Sequence, residues 1–253
     1  MRIVIDTTKK MLTVDDHEQI DLYGKRAFEL ISELWLKTSW NQKYSYTFTW
    51  LGRPIIQHPE DMIRLQEVIC FLRPDVIIET GVAHGGSLIF QASLFKAMDH
   101  PGRIIGLDIE IRPHNRRAIE NHNLAPLITL IEGDSVAPDV VAQVSKLVRP
   151  GDTVMVILDS NHTKAHVTKE LEAYAPLVTK GSYIVGTDGV MGLVSDTPHG
   201  RTDWSSDNPT AAVSEFAACH PEFVIEEPAW RFNESELNRS ITAWPNAWLR
   251  RVR

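Results

Sequence analysis

Asp159, Ser160, Asn161 and His162 stand together in this chain of 253 residues, and Asp188 follows between Thr187 and Gly189. A carboxylate with a histidine three residues on can serve one site. Asp159 and Asp188 offer two hard oxygen ligands, which with waters and a substrate oxygen suit octahedral Mg²⁺. Such an ion lowers the pKa of a coordinated hydroxyl, and His162 could remove the proton. An alcohol is a poor nucleophile at neutral pH and gains from both. Taken singly, an aspartate or histidine here would cap a helix; the pairing with Asp188 carries the catalytic reading. His166, four residues past His162, leaves open a two-histidine metal site if one undistorted helix holds both.

A second group of polar residues lies upstream. Glu79-Thr80-Gly81-Val82-Ala83-His84-Gly85-Gly86-Ser87 is a glycine turn with an acidic entry. Glycine at 81, 85 and 86 lets a ligand approach the backbone where a Cβ would collide. The run departs from G-x-G-x-x-G, and Glu79 would repel the diphosphate that fingerprint cradles. It suits the cationic amino acid end of a ligand instead. Asp108, followed by Ile109, can accept both hydroxyls of a ribose. Asp134, followed by Ser135, can take the adenine amino group. With Ser87 at the start of the next helix, the set describes S-adenosylmethionine better than NAD. The plainer alternative is a tight turn and solvated carboxylates capping helices.

These residues need a scaffold that gathers them. Val76-Ile77-Ile78, Ile104 to Leu107, Leu127 to Ile131, Val154 to Leu158 and Tyr183-Ile184-Val185 read as buried strands. Between them, amphipathic helices are expected near 87–98, 113–121 and 138–148, then one with Val167, Leu171, Tyr174 and Val178 on a face. Apolar strands alternating with helices mark a parallel sheet covered on both faces. Right-handed crossovers make it an α/β, Rossmann-like, doubly wound, mostly parallel sheet. Ligands bind outside the carboxyl ends of such strands, and every candidate residue above lies there.

Residues 1–58 differ in texture and predict a helical, aromatic-rich extension ahead of a domain over 59–253. The extension's helix is expected over 17–37, from Ile20, Tyr23, Phe28, Ile31, Leu34 and Trp35. Trp35, Trp40, Tyr44, Tyr46, Phe48 and Trp50 suit a substrate lid, a contact between copies in a homo-oligomer, or core packing. Pro59 opens the next helix, with Glu60 and Asp61 at its positive end. Residues 191–209 read as a long loop, whose Asp196, His199, Arg201, Asp203, Trp204 and Asn208 could hydrogen-bond a polyhydroxylated substrate or solvent.

Composition narrows the partners. The net charge of −7, with no basic run beyond Arg250-Arg251, disfavours nucleic acid, which needs a basic face. Two cysteines, Cys70 and Cys219, do not make a disulfide scaffold and fit a reducing compartment. Met1 to Asp6 is charged too early for a secretion signal, and no apolar run approaches the ~20 residues of a membrane span. The expectation is a soluble, cytoplasmic protein.

The stretches Arg73 to Ser87, Gly106-Leu107-Asp108-Ile109, Glu132-Gly133-Asp134-Ser135, Leu158 to Thr163, Glu170 to Val178, Asn208-Pro209 and Trp248 to Val252 together resemble the cephalosporin hydroxylase/rhamnosyl O-methyltransferase family. The resemblance spans roughly residues 50 to 253. It implies a class I methyltransferase fold, S-adenosylmethionine, a divalent metal and a sugar or oligosaccharide acceptor. It also implies Asp159 and Asp188 as magnesium ligands and His162 as general base. Related macrolide-sugar methyltransferases carry a Glu-Asp pair where this chain has Thr187-Asp188. Thr187 would then join the metal through its hydroxyl or a water, or leave the ion held with one charge fewer. The family label also raises an iron-dependent hydroxylase, and a cofactor-binding subunit without catalysis is a third reading.

Overall fold

In the computed structural model, which describes residues 1–253, the chain opens with a small antiparallel sheet of β1 (Ile3–Asp6), β2 (Met11–Val14) and β3 (Glu18–Asp21). The helix expected over 17–37 is shifted: α1 runs Lys25–Asn41. Ile20 pairs with Leu12 across the ladder instead of starting a helix, and extended Gly24 stands at the helix entrance. Leu12, Val14, Ala27 and Leu30 make a separate small core there. A hairpin of β4 (Phe48–Trp50) and β5 (Arg53–Ile55) leads into α2 (Pro59–Leu72).

The expected alternation then unfolds as β6 (Val76–Thr80), α3 (Gly86–Ala97), β7 (Arg103–Asp108), α4 (Pro113–Glu120), β8 (Ile128–Glu132), α5 (Pro138–Leu147), β9 (Val154–Leu158), α6 (Lys164–Tyr174) and β10 (Tyr183–Gly186). Short α7 (Met191–Val194), α8 (Pro209–Cys219), β11 (Phe223–Ile225) and β12 (Trp248–Arg251) complete the chain. The seven-stranded sheet has the order β11-β12-β10-β9-β6-β7-β8. Its β6–β10 neighbours pair in parallel, and β12 runs antiparallel to both β10 and β11.

Two apolar layers cover the sheet. Ile77, Met155 and Ile157 face one; Val76, Ile78, Val154 and Val156 face the other, as the period of two requires. All seven are essentially inaccessible, and truncating one such isoleucine to alanine would cost about 2–5 kcal/mol. Leu36 of α1 and Ile55 of β5 join the first layer. No helix is long and apolar enough to cross a membrane.

The strand order turns back beside β6, whose neighbours are β7 on one side and β9 on the other. A crevice opens at such a switch point, beyond the carboxyl ends of the strands.

Candidate active site

Asp159 leaves the end of β9 in this crevice, its N–H donating to the carbonyl of Thr80 on β6 (2.9 Å). Gly81 allows that proximity, since a Cβ there would lie 2.0 Å from the Asp159 carbonyl oxygen. A Cβ on Gly86 would lie 2.1 Å from the carbonyl oxygen of Pro54. The glycines therefore admit other segments of this chain, where the sequence suggested a ligand. Arg53 secures the packing: its guanidinium donates to the His84 carbonyl (2.6 and 2.9 Å) and to Asn115 Oδ1 (2.9 Å). Asn115 in turn donates to the Ala83 carbonyl (2.8 Å).

Two cavities meet here. The larger, about 530 Å³, is walled by Asp108, Ile109, Asp134, Ser135 and His166. The smaller, about 200 Å³, is walled by Tyr46, Gln57, Ser87 and Asp188. Gly81, Ala83, Asp159, Ser160 and His162 line both.

Asp159, His162 and Asp188 bring one ligand atom each within 4.8 Å of one another. Asp188 follows β10 with φ of 57°, a left-handed conformation uncommon for a residue with a side chain. That turn leaves its carboxylate facing His162, Oδ2 to Nε2 at 3.4 Å. Burial, and then the charge of Asp188, hold the Asp159 carboxyl above its ordinary range, while His162 opposes the rise. Two acids crowded this way form a site that a cation would relieve. Their hard oxygens fit Mg²⁺, which is commonly bound through one or two carboxylates and keeps several waters.

Thr187 contacts one of these two acids. It is fully buried, and its hydroxyl lies 2.6 Å from Asp159 Oδ1 and 3.0 Å from the Leu158 carbonyl. It holds Asp159 and lines neither cavity. The two-histidine alternative does not form. Helix α6 begins only at Lys164, with Thr163 as its cap. His166 turns away to Glu170 (3.3 Å), whose contact raises the imidazole pKa.

On the other side, Asp108 Oδ2 accepts the N–H groups of Val82 (2.9 Å) and Ala83 (3.1 Å), pinning the glycine turn while lining the larger cavity. Ile109 is 74% exposed, an apolar side chain with no core to join. Glu79 departs from expectation: it is fully buried, accepts hydrogen bonds from Ser87 and Gln91, and lines neither cavity. Burial first, and the charge of Asp159 second, push its carboxyl up to about 8.

Glu170 carries the resemblance but was given no role by the sequence reading. Fully buried on α6, it accepts from the hydroxyls of Ser135 (2.6 Å) and Ser160 (2.7 Å), tying the ends of β8 and β9 together. Its spacing from Val167, Leu171 and Tyr174 placed it on the core-facing stripe, and a carboxylate there was the signal. In the loop after β10, the polar groups are spent internally. Lys37 pairs with Asp196 (2.7 Å), Arg201 with Asp203 (2.6 Å), and Asn208 caps α8 through Ala211. Of the aromatic residues between 35 and 50, Tyr46 lines the smaller cavity.

A family model described as Rhamnosyl O-methyltransferase/CmcI matches residues 42–252. A curated rhamnosyl O-methyltransferase of Mycobacterium leprae (strain TN) is 33% identical over 144 residues, 56% of this chain. The matched region spans 60% of that relative's length. A solved structure of CmcI with magnesium and S-adenosylmethionine aligns over 82% of this chain and 78% of its own, with TM-score 0.54 and 20% identity. An O-methyltransferase from Bacillus cereus in complex with S-adenosylhomocysteine aligns over 77% and 81%, with TM-score 0.50 and 17% identity. These likenesses, with the strand order above, show a class I methyltransferase fold.

Proposed function

Since the chain belongs to the rhamnosyl O-methyltransferase/CmcI family, we propose that it is an enzyme that moves a methyl group from S-adenosylmethionine to a sugar hydroxyl, on a mono- or oligosaccharide of rhamnose or mannose type, with Mg²⁺. The observation that carries this reading is the meeting of two cavities at Asp159 and His162. The larger takes the nucleoside end of the donor. There Asp108 accepts the ribose hydroxyls, Ile109 covers the adenine, and Asp134 with Ser135 receives its edge. An acidic wall favours a sulfonium and disfavours a phosphate.

The acceptor occupies the smaller cavity with its reacting hydroxyl at His162. His162 takes the proton, and Asp188 then faces an imidazolium. Mg²⁺ held by Asp159 and Asp188 would lower the pKa of the hydroxyl to be methylated and fix its direction. The donor brings an already activated methyl, so the protein's main contribution is alignment.

Two carboxylates and one histidine differ from the two-histidine, one-carboxylate set of iron hydroxylases. A subunit that only binds a cofactor has no need of a base beside an acid pair. The free thiols of Cys70 and Cys219 fit a reducing compartment, in this reading the cytoplasm. Exposed Val4, Ile5, Tyr23 and Trp35 suit contacts between copies in a homo-oligomer.

The test is methyl transfer by the purified chain, using S-adenosylmethionine labelled in the methyl group and a panel of sugars and glycosides. Label should move to a sugar with Mg²⁺ and stay on the donor with EDTA. Oxygen consumption with iron and 2-oxoglutarate, without methyl transfer, would favour the hydroxylase. Intact S-adenosylhomocysteine binding with no transfer would favour the non-catalytic subunit.

A further inference from the structure

One wall of the smaller cavity comes from the short 3₁₀ turn Tyr44–Thr47 ahead of β4. Tyr46 of that turn stands beside Asp159, His162 and Asp188 on the lining. Burial first, and then the charges of Asp188 and Asp159, raise its phenol pKa, so the hydroxyl end lies within the field of the acid pair. Tyr46 is nevertheless 63% exposed. Gln57, on the same wall, is the contrast: it is buried, and both of its amide atoms are closed off.

The neighbouring aromatic residues already have partners. Trp35 and Phe48 pack edge-on against Tyr44, with ring centroids 5.1 and 5.0 Å away. Trp40 meets Trp204 at 5.7 Å, and Trp50 meets Phe90 at 5.0 Å. Tyr46 joins none of these pairs. The Lys43 ammonium stands 5.9 Å from its centroid, at the outer limit of a cation–π contact. The backbone beneath the ring is held firmly. Tyr46 N–H donates to the Lys43 carbonyl (3.0 Å), and the Thr47 hydroxyl donates to the Tyr44 carbonyl (2.7 Å). Phe48 then pairs with Ile55 in the hairpin that Arg53 clamps to the glycine turn.

A fixed aromatic ring left open beside a polar, catalytic wall suits a ligand that is apolar on one face and polar at its rim. A pyranose has that form, with C–H bonds gathered on a face of the ring and hydroxyls around its edge. An open-chain alcohol offers no such face.

We propose that the ring of Tyr46 is the platform for the acceptor: the C–H face of a pyranose lies against it while a hydroxyl at the rim reaches His162. The contact is made by the aromatic ring and not by the phenol hydroxyl. The inference rests on the methyl-transfer reading above and names the residue that selects a cyclic sugar on the acceptor side.

The experiment uses the full chain with Mg²⁺, labelled S-adenosylmethionine, and methyl α-L-rhamnopyranoside or methyl α-D-mannopyranoside as acceptor. Tyr46→Ala should raise the acceptor KM by about three- to tenfold, the reach of one aromatic contact. Its kcat should stay within about twofold of wild type, as when binding common to ground and transition states is lost. Tyr46→Phe keeps the ring and should match wild type. Tyr46→Leu keeps bulk without the ring and should behave as Tyr46→Ala does; it replaces the alanine variant if that one does not fold. S-adenosylhomocysteine affinity should be unchanged in each variant, which also shows that each folds. An acceptor KM unmoved in both Tyr46→Ala and Tyr46→Leu overturns the inference. So does Tyr46→Phe as impaired as Tyr46→Ala, which would assign the contact to the hydroxyl, and so does a fall in kcat at constant KM, which would make Tyr46 a support for the catalytic groups. Those three outcomes leave the methyl-transfer reading standing. Wild type that binds S-adenosylhomocysteine but methylates neither glycoside overturns the sugar-methylation reading and this inference together.

Discussion

Oδ2 of Asp188 faces Nε2 of His162 at 3.4 Å, across the point where the two cavities join. A carboxylate on one ring nitrogen orients the imidazole and stabilises its protonated form. His162→Ala should therefore lower kcat by about 10²–10⁴-fold, the usual contribution of a general base. The dissociation constant for S-adenosylhomocysteine should barely move, because the larger cavity keeps its other walls. Initial rates and calorimetry on one preparation check both halves. Turnover near wild type would take His162 out of the chemistry.

Asp159 and Asp188 reach the site from the ends of adjacent strands β9 and β10. Asp188→Asn keeps the shape and removes one of the two charges. The Mg²⁺ concentration for half-maximal activity should rise at least about tenfold, in line with losses seen when metal-site partners are removed. EDTA should abolish wild-type activity, and added Mg²⁺ should restore it. Activity indifferent to chelation would exclude a metal from the reaction.

Thr187 touches Asp159 and not the cavity, so its expected role is to aim that carboxylate. Thr187→Val matches the shape and removes the hydroxyl donor. Apparent Mg²⁺ affinity should fall by about 10–100-fold, the range for groups that hold a ligand in place. Thr187→Ser should restore it. A valine variant with an unchanged Mg²⁺ titration would show that the hydroxyl serves only the Leu158 carbonyl.

The central sheet was legible because its middle strands are buried on both faces. Val76-Ile77-Ile78 and Val154 to Leu158 leave little room for another reading. Once their order is set, the rule placing ligands at carboxyl ends brings Asp108, Asp134, Asp159 and Asp188 to one crevice. What stayed hidden depends on which atoms stand opposite. The glycines at 81 and 86 looked like room for a ligand, yet the missing Cβ faces Asp159 and Pro54. Glu79 sits at a strand end like the others, but Ser87 and Gln91 come from α3 to take it inside. The strands near the N-terminus span four residues each, too short for their alternation to outweigh the helical spacing around Ile20. Gln57 lies in a short connection, where a polar residue gives no sign of burial.

Asp61, at the first turn of α2, is 2% exposed. It accepts the N–H of Ala243 (2.9 Å) and the hydroxyl of Thr242, fastening the C-terminal segment to the helix. Burial pushes its carboxyl up to about 7, against the hydrogen bonds that favour the charge. The sign follows from the proton being held more tightly in the folded chain than in the unfolded one. This contribution to stability is complete below the ordinary aspartate pKa of about 4, and it is lost as pH rises through about 7. At ~1.4 kcal/mol per unit of pKa, the loss is bounded near ~4 kcal/mol. Asp61→Asn has no charge to bury; its carbonyl can still accept from Ala243, and its NH₂ can donate to the Thr242 oxygen. The variant should gain on wild type from pH 5 upward and level off above about pH 7 in urea unfolding followed by tryptophan fluorescence, with Trp244 beside the contact as reporter. A difference between the two midpoints that stays flat across that range would mean that Asp61 remains charged in the folded chain throughout.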